Sequence, residues 1–482
     1  MLHLLMSLLP WLFGVVLLYS LLYQPNRWCP AHHLLVIGSG VYVGHITLAL
    51  ILGQLATRGI PVFSIWLVAW AIFLVVICWI IGKFTSRLSK QTHQTHETEK
   101  RLNIQTQHSI TLLIICATWL LLILGTTIYE NAVRPTTAWD SLAYWTLYVD
   151  SFLDWQLQGL QPDESPYQVG HLHPSTMHLI NIWGAWAANA SDASNWLFAP
   201  FSLAYVGIVF ISTGLIWAQS SNALLGVIAG LVIASLPLVN AHIALAGYTE
   251  IWLFSGTLIL IALLALPAGS AGKIAVGLGL FTLVVSLALW KSEAIIYSLI
   301  GIGAFFMALL TRTRSTMVLV LILATIIFAS VVLHSIGFDL DLLGAQIAWL
   351  PDENLLRLGR RTGLVQFSSI ETIMKNIWVA WTVSSSFSFS VLLTAFCLCA
   401  YAWLIFRKKS IGFLAHFSFF LTFGMLAFFF LAPFLSDYLL EYSAPSNDTI
   451  FSRSTLVGLP LVFITSVLIG IDLVKNPDGR KP

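Results

Sequence analysis

One carboxylate, Asp140, stands where an apolar stretch of the chain gives way to water-compatible sequence. It follows the apolar stretch 110–129 and lies early in the segment 130–195, which is too polar for a membrane to hold as a simple span. A carboxylate at a membrane edge can take the proton of a hydroxyl group that comes within hydrogen-bond reach. Tyr144 lies one helical turn later, so an amphipathic interfacial helix would place both residues on one face. This pattern favours acid/base chemistry at Asp140, with Tyr144 on the same face, over the alternative of a solvated surface carboxylate.

Two histidines in the same segment, His171 and His173, are separated by a single residue. Imidazole can bind a divalent cation, orient a phosphate or relay protons. Two ligands alone rarely hold an ion, so the pattern favours a structural role or contact with substrate over a metal site. A divalent cation stays open as an alternative, and the sequence predicts no certain cofactor.

Two short motifs place ionisable groups beside apolar stretches. Tyr248 and Glu250 stand at the start of the stretch 249–267, where a carboxylate either faces the protein interior or caps the helix. Lys291 and Glu293 lie between two stretches that leave almost no loop. A polar turn would more usually contain Gly, Asn or Pro, so we expect Lys291 and Glu293 to contact a substrate phosphate and its neighbours.

Three arginines lie in later segments that the distribution of charge places outside the membrane. Arg357 and Arg361 are four residues apart in the segment 336–378, and Arg453 precedes the last apolar stretch. Guanidinium groups bind phosphate through paired hydrogen bonds, so all three are candidates for a phosphate site. The alternative for Arg357 and Arg361 is a solvated loop. The alternative for Arg453 is a side chain that only extends to the membrane interface.

The composition shows what must position these residues. Of the 482 residues, 58% are hydrophobic and 9% are charged, which is far below the share of charged residues in soluble domains. A net charge of +2 gives no indication of nucleic-acid binding. About thirteen stretches are long and apolar enough to cross a membrane as helices. They are 2–22, 33–54, 62–82, 110–129, 196–218, 222–238, 249–267, 273–290, 292–311, 316–335, 379–406, 411–435 and 454–472.

The Lys and Arg clusters predict the orientation of these spans. Positively charged loops stay cytoplasmic, and this topology brings all the clusters between and after the spans to one side. The N-terminus is then outside, the C-terminus is cytoplasmic, and the segments 130–195, 336–378 and 436–453 are outside. The sequence therefore predicts an all-α, multi-pass membrane protein with amphipathic interfacial helices in a long first outer loop of its core.

Four of these motifs, taken in order, resemble the polytopic glycosyltransferases of the type C (GT-C) superfamily in bacteria. The motifs are Trp139-Asp140, His171-Leu172-His173-Pro174, Gly247-Tyr248-Thr249-Glu250 and Trp290-Lys291-Ser292-Glu293, with Arg453 as the late arginine. They are similar to the family patterns W-D, H-P-D-Y-P, G-Y-A-D and K-N-E-G. The chain departs from the family at Ser175 and Thr176, where Asp and Tyr would be expected, and at Glu250, where Asp would be expected. It also has Ser292 and Ala294 in place of Asn and Gly.

The resemblance implies a GT-C-like catalytic core at 110–482, preceded by extra spans and a cytoplasmic loop at 1–109. It also implies transfer of a sugar from a polyprenyl-phosphate carrier to a glycan, lipid or protein acceptor, with inversion, at the outer face of a bacterial inner membrane. Asp140 would correspond to the general base, and the other candidates would contact donor or acceptor. The bilayer itself is a partner, since the prenyl chain must lie in it.

Two other interpretations of the same residues remain open. In a lipid or ion-coupled transporter or flippase, Asp140, Glu250, Lys291 and Glu293 would form an ion or proton path. That interpretation predicts ionisable residues near the middle of spans, whereas these candidates lie at span edges. A non-catalytic scaffold with a GT-C-like fold is the third possibility.

Overall fold

The computed structural model describes part of the chain. The described residues are 2–23, 27–56, 72, 76, 107–133, 198–244, 250–267, 294–313, 337–342, 345–353, 355–358, 361–364, 371, 374–375, 378, 388–407, 411–431 and 457–475. They belong to two compact units, unit 1 (Met1–Ser286) and unit 2 (Leu287–Pro482). The boundary predicted between 109 and 110 stays a prediction.

The described part of unit 1 consists of α-helices. They are α1 (Leu2–Leu22), α2 (Pro30–Ala56), α3 (Gln107–Val133), α4 (Phe198–Ser220), α5 (Ala223–Ser235), α6 (Pro237–Ala244) and α7 (Glu250–Ala265). Residues on every side of these helices are mostly apolar, so the helices are suited to an apolar surrounding as well as to an apolar core.

Glycines allow α1 and α2 to pack with their backbones close together. A Cβ atom at Gly44 would collide with the carbonyl oxygen of Pro10, and one at Gly14 would collide with that of Gly40. Gly40 and Gly44 are four residues apart and lie on one side of α2, which is the spacing that small residues adopt at membrane helix interfaces. The contact has no room for even one methyl group.

This contact leads to a first prediction. Replacing Gly44 by Ala should lower the free energy of unfolding by about 1–3 kcal/mol, the usual cost of overpacking, because the obstructing atom belongs to the backbone. The measurement is the midpoint of thermal unfolding of the purified protein. Gly125→Ala in α3 is the matched control, since a Cβ there has nothing within 4 Å. Equal midpoints for the two variants would show that α1 and α2 are not held in such close contact.

Helix α2 is antiparallel to two of the helices that it packs against. In the α1–α2 pair, Pro10 faces Gly44 near one end and the Tyr19 hydroxyl hydrogen-bonds with His33 Nδ1 at 2.8 Å near the other, so the two helices are antiparallel. A second antiparallel pair is formed by α2 and α4. Its contacts are Gly38 with Gly207 and Ala31 with Gly214.

Helix α4 also aligns α3 and α5. The Tyr205 hydroxyl donates a hydrogen bond to the Ala234 carbonyl oxygen at 2.8 Å and hydrogen-bonds with the Thr127 side chain. Further along α4, Thr213 and Leu120 lie close to Gly230. Going from the contact at Thr213 to the contact at Tyr205, residue numbers fall along α4. Over the same distance they rise along α3 and along α5. Both helices are therefore antiparallel to α4.

The stretch 222–238, predicted as one span, is not a straight helix. Asn222 caps α5 by accepting hydrogen bonds from the backbone N–H groups of Leu224 and Leu225 at 3.0 and 3.3 Å. The helix ends at Ser235, and the next one begins at Pro237, which lacks the N–H needed to continue the first. The two helices are bent by 60° at this break.

Membrane character is confirmed for part of the chain. Within the described residues, Ile110–Asn131 and Pro200–Ser220 are long and apolar enough to cross a membrane, and the bent pair α5–α6 would make a third crossing if it forms one span. Of an 18-residue apolar stretch in each, 11% is buried inside the protein in α3 and 78% in α4. The predicted count of about thirteen spans stays a prediction.

Unit 2 contains four described helices, α8 (Ala294–Thr313), α9 (Ser388–Phe406), α10 (Phe413–Leu431) and α11 (Leu459–Lys475). Helix α8 is antiparallel to α10, because Phe305 contacts Phe413 and Tyr297 contacts Phe428. The pair α10–α11 is also antiparallel. Its contacts are a hydrogen bond from Gly412 N–H to Asp472 Oδ2 at 2.8 Å and one between the Thr422 and Thr465 hydroxyls at 2.8 Å.

Unit 2 also contains a β-sheet, so the prediction of an all-α protein is wrong in this region. The strands β1 (Phe338–Leu342), β2 (Ala345–Leu350), β3 (Leu355–Leu358) and β4 (Arg361–Leu364) form an antiparallel meander in sequence order. Residues 338–342 alternate between apolar and acidic, which is the period of a strand and not of a helix. The remainder of the described chain is mostly helical, as predicted.

Candidate functional site

Glu250 is the predicted site residue that the structure describes in most detail. It is the first residue of α7 and is only 5% exposed. A carboxylate at a helix N-terminus is stabilised by the partial positive charge of the unpaired backbone N–H groups there. Burial and the helix terminus together explain how an acidic residue is held at the start of an otherwise apolar helix.

The residue two positions later, Trp252, joins three helices. Its indole ring is fully buried and lies 5.2 Å from the ring of His45 and 6.4 Å from that of Tyr42, measured between centroids. The Phe201 ring is 6.2 Å away in an edge-to-face arrangement. Helices α2, α4 and α7 therefore meet at Trp252, and this contact fixes the position of the first turn of α7, where Glu250 lies.

The protonation of His45 follows from its hydrogen bond. Nδ1 lies 2.6 Å from the carbonyl oxygen of Val41, which can only accept, so Nδ1 carries the hydrogen. In the neutral ring the lone pair is then on Nε2. That atom is buried and has no hydrogen-bond partner in the part of the chain that the structure describes. The contact of α2, α4 and α7 at Trp252, which we call the Trp252 junction, thus contains an acceptor that could take a hydrogen bond from a hydroxyl group or a water molecule.

The sequence motifs did not point to His45, Tyr42 or Trp252. A single imidazole inside the apolar stretch 33–54 is a signal in itself, because polar side chains within a membrane are costly and tend to face the protein interior. Helix α2 was, however, assigned to an addition before the core. Its packing against α4 and α7 makes it part of the same unit as Glu250.

One end of unit 1 gathers the described ends of three helices. Helix α3 ends at Val133, α4 begins at Phe198 and α7 begins at Glu250. They meet because α3 is antiparallel to α4, and because Phe201 contacts Trp252 near the starts of α4 and α7. We call this the Glu250 end. The segment that contains Asp140 leaves α3 and enters α4 at this end.

Unit 2 has a comparable arrangement. Helices α8 and α11 are both antiparallel to α10, so α8 begins at Ala294 and α11 begins at Leu459 at the same end. We call this the Ala294 end. In sequence, Lys291 and Glu293 come directly before Ala294, and Arg453 comes six residues before Leu459. A six-residue extended segment spans about 20 Å at most, so Arg453 lies within that distance of the start of α11.

The β-meander changes the geometry expected of two arginines. Arg357 pairs with Thr362 and Leu358 pairs with Arg361, so positions 357 and 361 lie on neighbouring strands. Because paired residues share a face and successive residues alternate, the two positions fall on opposite faces of the sheet. Binding of one phosphate by both arginines is thus disfavoured, and a phosphate role for either one stays a prediction.

The other predicted site residues lie outside the described residues. They are Asp140, Tyr144, His171, His173, Tyr248, Lys291, Glu293 and Arg453. Within the described ranges, no group of three His, Cys, Asp or Glu residues could hold a metal ion. The possible cation site at His171 and His173 is not covered by that observation.

Comparison of the chain with protein-family models, curated proteins and solved structures finds no match. The resemblance in the four ordered motifs is therefore the basis for any assignment to a family.

Proposed function

We propose that this chain is a membrane glycosyltransferase that moves a sugar from a polyprenyl-phosphate carrier to an acceptor at the outer face of the membrane. Asp140 removes the proton of the acceptor hydroxyl as that oxygen attacks the anomeric carbon of the sugar. The bond from the anomeric carbon to the phosphate oxygen breaks, and the configuration at that carbon inverts. Polyprenyl phosphate leaves with the electron pair of that bond.

Cationic side chains would stabilise the leaving phosphate, as electrostatic catalysis requires. Lys291 and Arg453 are the first candidates, because the helices they precede begin at the same end of unit 2. Arg357 or Arg361 would add a further contact. Tyr144, His171, His173, Tyr248, Glu250 and Glu293 would bind the sugar or the acceptor by hydrogen bonds.

One observation supports this proposal over an ion-coupled transporter. In the helices α1 to α11, each Asp, Glu, Lys and Arg lies in the first or last turn, and these residues are Glu130, Glu250, Arg312, Asp472 and Lys475. Glu371 and Lys375 lie outside these helices and are exposed. A charged path through a membrane needs ionisable groups at mid-span, whereas chemistry on a lipid head group needs them at the edge. His45, His242 and His416 are the buried imidazoles of the described helices that a proton path could use.

The proposal is tested with the purified protein in vesicles that contain a polyprenyl phosphate bearing a radiolabelled sugar. We expect the label to leave the lipid fraction and polyprenyl phosphate to accumulate when a glycan or lipid acceptor is supplied. Proton flux and movement of the intact lipid between leaflets are measured in the same vesicles. Lipid movement or proton flux without release of the sugar would overturn the assignment in favour of a transporter.

A further inference from the structure

Helix α9 divides lengthwise into a buried side and an exposed side. Thr394, Cys397, Tyr401 and Leu404 are buried and recur at the spacing of one helix face. The opposite side is exposed and apolar over most of the helix. Its large members are Leu392, Phe396, Leu398, Trp403, Ile405 and Phe406, and Phe406 is 80% exposed.

The positively charged side chain of Arg407 lies at the C-terminal end of this apolar surface. The guanidinium carbon of Arg407 lies 4.4 Å from the centroid of the Trp403 ring, which is a cation–π contact. Both residues are exposed, so the positive charge stays accessible while the indole ring holds its position. Lys408 and Lys409 follow in the sequence and add to the positive charge of this segment.

This surface is separate from the proposed catalytic residues. The short connection between Phe406 and Phe413 places the C-terminus of α9 beside the N-terminus of α10. Helices α8 and α11 begin at the other end of α10, which is the Ala294 end. Arg407 therefore lies at the end of unit 2 opposite to the Ala294 end, which Lys291 and Arg453 precede in sequence.

We propose that the exposed side of α9 binds one anionic phospholipid, with its acyl chains along the apolar surface and its phosphate against Arg407. Charge complementarity selects this occupant. A zwitterionic lipid would gain the same apolar contact, but its own cation would offset the attraction of Arg407 for the phosphate. An anionic head group near a membrane surface gains attraction from each basic residue, and Arg407 is held in place for it.

The test compares lipid retention by native mass spectrometry of the purified protein, using phosphatidylglycerol and phosphatidylcholine with identical acyl chains. We expect the wild type to retain phosphatidylglycerol in preference to phosphatidylcholine. Arg407→Gln should reduce that preference about five-fold, as expected for loss of one basic residue at a membrane surface. Trp403→Leu should reduce it as well, because the apolar surface is kept while the support of the guanidinium is lost.

Lys475→Gln is the matched control. It removes one positive charge from the last residue of α11, at the same end of unit 2, and should leave the preference unchanged. An unchanged preference in Arg407→Gln, or equal losses in Arg407→Gln and Lys475→Gln, would overturn the proposal. A protein dimer without bound lipid would overturn it too, since a second copy would then cover α9. Sugar transfer is not part of this readout, so failure of either proposal leaves the other intact.

Discussion

Replacing Asp140 by Asn should reduce the rate of sugar transfer by about 100-fold to 10,000-fold, the contribution usual for a positioned general base. The amide has nearly the same size and can hydrogen-bond to the acceptor hydroxyl, but it cannot take the proton. The variant should therefore still insert in the membrane and bind the carrier lipid. The measurement is the initial rate of label transfer from the polyprenyl-phosphate sugar in vesicles.

Asp150→Asn is the matched control for this experiment. Asp150 lies in the same segment, and its sequence context favours a solvated surface carboxylate, so transfer should continue at the wild-type rate. Thermal unfolding of both variants shows whether a loss of rate is due to unfolding. A wild-type rate in Asp140→Asn would exclude Asp140 as the base, whereas equal losses in both variants would indicate a general effect of charge in the segment.

Replacing Trp252 by Ala should lower the free energy of unfolding by about 3–5 kcal/mol, the range observed when large buried aromatic residues are truncated. Trp252 is fully buried and is in ring contact with residues of both α2 and α4. Its removal leaves a cavity where three helices meet. The measurement is the midpoint of thermal unfolding of the purified protein.

Trp119→Ala provides the comparison with an exposed tryptophan. Trp119 is in α3 of the same unit and is 60% exposed, so its truncation should change the free energy of unfolding by about 0.5 kcal/mol or less. If Trp252→Ala lowered the free energy of unfolding no more than Trp119→Ala does, the Trp252 junction would have collapsed around the cavity. The contact would then not fix the start of α7. Trp252→Phe keeps a ring in place and should show an intermediate loss.

Several features of the fold could be predicted from local sequence. The start of α7 at Glu250 agrees with the predicted stretch 249–267, because an acidic residue before a long apolar run is a favourable helix beginning. The bend between α5 and α6 could have been predicted as well, since Pro237 cannot continue the helix before it. The strands of the meander carried a signal in the alternation at 338–342, but a loop in an outer segment was the simpler interpretation.

Other features depend on contacts between distant parts of the chain. No local pattern indicates that Gly38 faces Gly207, or that Trp252 packs against His45, because the partners are far apart in sequence. Hydrophobic periodicity is also weak in helices that are apolar on every side, so it does not show which side faces a neighbour. The site residues were predicted from motif types and order. Which helix ends lie beside them in the chain, and which of those ends come together, required the helix directions within each unit.

The Glu250 end has a consequence for how this protein could diversify. The long segment between Val133 and Phe198 is anchored at both of its ends on one side of unit 1, so its length need not match any distance across the helices. The entropic cost of closing such a segment rises only with the logarithm of its length. Insertions and deletions there therefore change the closure entropy only slightly. Under the proposed function, acceptor preference could therefore evolve separately from the helical frame.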